Sequence, residues 1–151
     1  MSAQPQRMKE LAELAADPDW LVSMRALDLL EKIAHDRAEL VQPHKRLFIG
    51  PLAESDKWEV RLQVVRALPL LEWAPRERAR AVAILRENLE YPQTFVRAWA
   101  LDGLATFAER DARLVPIVRS ALGAFERSGS KALAARARHI RSRLHTERVL
   151  R

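Results

Sequence analysis

Three segments of the chain fall into register when Val22, Val60 and Val96 share a column. They are DPDWLVSMRALDLLEKI (17–33), SDKWEVRLQVVRALPLL (55–71) and YPQTFVRAWALDGLATF (91–107). Four residues on stand Ala26, Val64 and Ala100; eight on, Leu30, Leu68 and Leu104; eleven on, Ile33, Leu71 and Phe107. A weaker fourth copy starts at Leu133 and continues with Ala137 and Leu144. The anchors are 38, 36 and 37 residues apart. A period of this size marks stacked supersecondary units that cannot bury their apolar faces alone.

Offsets 0, 4, 8 and 11 lie within about 80° of arc at helical pitch, so each copy is an amphipathic helix. Asp17, Ser55, Tyr91 and Ser128 stand five residues before the anchors, and three of them are N-cap types. Pro18 and Pro92 follow and suit a first helical turn. Asp56, with Glu59 three residues on, offers an alternative capping box. A partner helix is expected before each copy, near 4–15, 38–53, 76–90 and 112–126. The first and third copies even end alike, with Ala34, Leu40 and Val41 recurring as Ala108, Leu114 and Val115. Pro43, Pro51, Pro69 and Pro116 predict kinks or late helix starts. No stretch sustains the alternation of a strand.

The expected fold is therefore all-α, one domain over 1–151, with helix pairs at about 4–34, 38–73, 76–108 and 112–146. The paired helices and the Val-Arg entry to the second helix (Val60-Arg61, Val96-Arg97) resemble HEAT repeats; Val22 is followed by Ser23 instead. The W-x2-L-G-x2-Y signature of tetratricopeptide repeats is missing. The HEAT resemblance implies an α-solenoid of about four helix pairs with the second helices lining a concave face. It also implies a protein-binding scaffold rather than an enzyme.

Offsets 2, 6, 9 and 13 point away from the core columns and would line that face. They supply Asp28, Glu31, Arg66, Trp73, Asp102 and His139 as binding candidates. Trp73 has no counterpart in the other copies and is expected to be exposed. Trp20 and Trp58 share a column, which argues for packing. Trp99 is expected to pack between repeats. Arg61 and Arg97 are expected to bridge to acids such as Asp56, Glu90 or Asp102.

Net charge is +6, and its distribution is uneven. Residues 1–130 hold 19 basic and 19 acidic residues, which cancel; residues 131–151 hold seven basic and one acidic residue. As a helix, this segment would present Arg136, Arg138, Arg141, Arg143 and Arg148 to phosphates or to an acidic partner. The same charge also suits a solvated capping helix at a solenoid end. Nucleic-acid binding is thus the alternative function. A third reading is enzymatic: HEAT-like DNA alkylation-repair glycosylases use Trp, Asp and Arg, which Trp73, Asp28, Asp102 and Arg66 would supply.

The chain has no cysteine, so disulfides and thiolate metal sites are excluded. Its four histidines lack metal-ligand spacing, and its four glycines are isolated, so neither a metal site nor a phosphate loop is expected. No cofactor is expected. No apolar run is long enough to cross a membrane, and no signal peptide is evident. A cytoplasmic location and a protein partner are expected, with oligomeric state left open.

Overall fold

The computed structural model describes the backbone of residues 3–150 and the side chains of residues 4–144. The described residues form seven α-helices and no strand. These are α1 (Ala3–Ala15), α2 (Trp20–Val41), α3 (Trp58–Ala67), α4 (Pro75–Asn88), α5 (Thr94–Ala108), α6 (Val115–Glu126) and α7 (Lys131–Leu150). The chain forms two compact units, Met1–Ile84 and Leu85–Arg151, with the division inside α4. In the first, α2 packs between α1 and α3; in the second, α5, α6 and α7 pack on one another.

The repeat columns are the core. Val60, Val64, Leu68 and Leu71 are buried in the second copy, and Val96, Ala100 and Leu104 in the third. Leu133, Ala137 and Ile140 are buried on α7. Burial is wider than the predicted stripe. Leu27, Val65 and Leu101, at offset 5, are fully buried too. A helix with neighbours on two sides buries more than a surface helix's single face. Val22 is only half-buried, and the next residue, Ser23, is buried in its place.

Each helix of the second kind begins two residues later than the sequence suggested. The residues flanking the helices are Asp19, Lys57, Gln93 and Ser130, not Asp17, Ser55, Tyr91 and Ser128. Asp19 accepts a hydrogen bond from the Leu21 N–H and Gln93 from the Phe95 N–H. Ser130 Oγ accepts from the Leu133 N–H. The expected caps have another task. Asp17, Ser55 and Ser128 each accept from the backbone N–H two residues on, at 2.8, 3.1 and 3.2 Å. These are Asx and ST turns, which hold the chain in the bend that leads to the helix. In the first and third copies Pro18 and Pro92 favour the delay, because a proline disfavours the helical region for the residue before it. The Asp56–Glu59 capping box does not form: Lys57 occupies the cap position, without a side-chain cap bond.

The helix expected at 38–53 is replaced by a longer α2 and two short 3₁₀ segments. α2 runs past residue 34, where the first helix pair was expected to end, and reaches Val41 through a break at Arg37 (φ −141°, ψ 67°). Residues 42–48 and 51–54 then follow as 3₁₀ turns, with Pro43 and Pro51 in their first positions. Two prolines eight residues apart remove the N–H groups that an α-helix would use, leaving only short turns. Pro69 acts likewise: α3 stops at Ala67 and a 3₁₀ turn covers Leu68–Leu70.

Candidate functional site

The residue after each anchor has a single task in three copies. Ser23 Oγ donates to the Ala15 carbonyl at 2.6 Å, Arg61 Nε to the Ser55 carbonyl at 2.6 Å, and Arg97 Nε to the Leu89 carbonyl at 2.9 Å. Each acceptor lies at or just past the end of the preceding helical segment, where backbone carbonyls lack intrahelical partners. Arg61 and Arg97 thus each bond a backbone oxygen of the connection that leads into their helix. Ser23, which broke the Val-Arg pattern, does the same work with a shorter side chain. The Arg97 guanidinium also lies 5.3 Å from the Phe125 ring centroid.

Of the six side chains expected on an open polar face, Glu31 and Trp73 are buried, Asp28, Arg66 and Asp102 are part-exposed, and His139 is exposed. Glu31 is completely buried, with His35 Nε2 at 2.6 Å and an Arg66 guanidinium nitrogen at 3.3 Å from its Oε1. Among the described residues its Oε2 has no hydrogen-bond partner. The outward placement of Glu31 failed because α3 covers α2 on that side. Trp73 is only 6% exposed, and its Nε1 donates to the Leu68 carbonyl at 2.8 Å. Its ring packs in the bend after Pro69, with Lys45 Nζ 5.7 Å from its centroid. Trp73 is therefore a core residue rather than the exposed aromatic that its lack of a counterpart suggested. Asp28 stays at the surface, paired with Lys32 one turn on at 2.9 Å.

Lys45 takes part in a second clasp of the first unit. Its Nζ lies 2.9 Å from Glu77 Oε1, and Arg46 Nε lies 3.2 Å from Glu77 Oε2. Glu77 also accepts from the Ala74 N–H as α4 begins. The hydrogen bond from Lys45 is the largest cause, with the Ala74 N–H next, of a Glu77 pKa lowered from the usual 4.5 to about 2. The clasp is closed by Gln42, whose Oε1 accepts from the Glu72 N–H at 3.0 Å.

In the second unit Asp102 is the hub. Its carboxylate accepts from Arg136 at 3.2 Å and from Arg143 at 3.3 Å, and it is 14% exposed. The Arg136 guanidinium also stacks 4.6 Å from the Trp99 ring centroid. Trp99 therefore joins α5 to α7. Arg141 forms a two-pronged pair with Glu126, both bonds at 2.8 Å, and this pairing lowers the Glu126 pKa. Three of the five arginines offered as phosphate contacts are thus bonded to acids of their own unit. Arg138 and His139 are exposed on α7. The side chain of Arg148 lies outside the described residues.

The first unit also carries a surface that the sequence did not single out. Between α1 and α2 runs an apolar groove of about 560 Å³, floored by Met8, Leu11 and Ile33 and walled by Leu14, Leu29 and Leu40. Leu14 and Leu29 are 48% and 49% exposed. In the offset-7 column Leu29 of the first copy aligns with Ala67 and Gly103 of the next two, and both of those are buried. A large residue replaces small ones there, yet stays half in water.

No helix among the described residues is long and apolar enough to cross a membrane. Among the same residues no three His, Asp or Glu side chains gather as metal ligands would. No protein-family model matches the chain, and no curated protein matches it.

Proposed function

We propose that the chain is a non-enzymatic interaction module of the HEAT-like kind, a solenoid of helix pairs that binds a protein through the apolar groove of α1 and α2. The observation that carries this reading is the contrast between the two kinds of surface. The polar candidates Glu31, Arg66, Asp102, Arg136, Arg141 and Arg143 are engaged by partners within their own units. Leu14 and Leu29 stay half-exposed over a groove. Contiguous exposed apolar surface marks interaction sites in proteins of this size. The HEAT-like assignment is supported by features that recur between copies: the turn two residues before the helix and the donor just after the anchor. The cytoplasm is the compartment proposed for it, since a cysteine-free helical chain needs no oxidising environment.

The test is affinity capture from native cells with tagged wild-type protein and tagged Leu29→Glu, each with and without nuclease. A protein held by the wild type and lost by the variant supports the reading. Retention that nuclease abolishes would transfer the function to nucleic acid and to Arg138 and its neighbours. Recovery of nothing rejects both.

A further inference from the structure

We infer that the occupant of the α1–α2 groove is a second copy of this chain, giving a two-fold dimer. The inference rests on the protein-binding reading above and names its partner.

The rim of the groove carries the argument. Arg7, Arg37, Glu10 and Asp36 line the groove together with its leucines, so its charged lining is two positive and two negative side chains. In a two-fold interface a patch meets itself, and residue i of one subunit faces residue j of the other. A patch with an excess of either sign repels its own copy. A balanced patch can set base against acid on both sides of the axis. This balance is local, because the chain as a whole carries +6. A partner attracted by the net charge of this protein would be acidic, and an acidic surface would set Glu10 and Asp36 against like charge. Arg37 is already bonded to Glu39 at 2.9 Å, but both side chains are more than half exposed. A pair so exposed contributes little and is readily exchanged for one across an interface.

The apolar centre suits the same occupant. Leu14 and Leu29 project from neighbouring helices, and two such ridges can seat in each other's groove as helices do in a bundle. The buried centre of an interface between like subunits is more apolar than the rest of a protein's surface.

Sedimentation equilibrium or light scattering at about 100 μM, above the micromolar dissociation constant of a modest apolar interface, tests this directly. The expected mass is twice 17.3 kDa. Leu29→Glu should raise the dissociation constant more than about tenfold, as loss of a central apolar anchor does. Asp36→Arg, which unbalances the rim without touching the leucines, should weaken the dimer and make it weaker still at low salt. Phe95→Glu, at an exposed aromatic of the second unit, should leave the dimer intact. A monomeric wild type overturns the inference, as does a dimer that Leu29→Glu leaves unchanged or that Phe95→Glu dissolves. A monomer that still captures a different protein, and loses it on Leu29→Glu, sinks the dimer while the binding reading survives. Far-UV circular dichroism of each variant confirms that the helices persist.

Discussion

Arg136 of α7 lies with its guanidinium 4.6 Å from the ring centroid of Trp99 on α5, one nitrogen 3.2 Å from the Asp102 carboxylate of the same helix. One side chain therefore joins stacking and charge. Asp102→Ala leaves Arg136 and Arg143 facing each other without their shared acid. The variant should lose about 2 kcal/mol of stability, less than a fully buried pair would because the arginines are part-exposed. Urea unfolding would show this as a lower midpoint. Glu126→Gln, at the more exposed Arg141 pair, should cost under about 1 kcal/mol.

Glu31 predicts an asymmetry. Glu31→Ala removes a fully buried carboxylate, the acid that Arg66 and His35 share, at a cost of about 3 kcal/mol. The paired change Glu31→Leu with Arg66→Met removes both charges and fills the volume, so it should be much less damaging. A double change more destabilising than Glu31→Ala would contradict this reading of the buried cluster.

Glu77 predicts a pH effect. Its pKa is lowered in the folded state, so the clasp with Lys45 and Arg46 contributes fully above the unfolded value near 4.5. That contribution declines as pH falls and is gone below about 2. The stability difference between wild type and Glu77→Gln should therefore be constant from pH 7 to about 5 and shrink towards zero by pH 2. Chemical denaturation at several pH values reads it, and a difference that grows in acid would refute the sign.

Ser23, Arg61 and Arg97 should behave alike despite their chemistry. Truncating each to alanine removes a bond to a backbone carbonyl, worth about 1 kcal/mol, and Arg97→Ala also loses the contact with the Phe125 ring. Ser23→Ala should be the costliest relative to the atoms removed, because its bond is buried. Thermal unfolding of the three variants compares them.

The helical period, the core columns and the all-α class were legible because apolar spacing repeats wherever a helix must bury one side. Helix starts were displaced by two residues, since Asp17 and Asp19 are both good caps and only local geometry chooses between them. Glu31 and Trp73 were misplaced for a different reason. Helical arithmetic fixes a side chain's direction about its own axis, but what lies in that direction depends on the neighbouring helix. Glu31 meets Arg66 of α3, and Trp73 folds back on Leu68 after a proline turn. The groove at Leu14 and Leu29 was hidden because Leu29, at offset 7, falls in neither the core columns nor the outward ones.

The donor after each anchor has a consequence for how this chain tolerates change. Ser23, Arg61 and Arg97 reach back eight, six and eight residues to their carbonyls. Each bond staples a connection at fixed length, so the linkers near 16–19, 55–57 and 90–93 act as rigid hinges that an inserted residue would break. The fourth copy has Ala134 in that column and no such staple, and its connection passes through Gly129 at φ +81°. Lengthening should be accepted there and refused at the other three. Of these four connections, the one between α6 and α7 is therefore the point of entry for a tag, a fluorophore or a new domain.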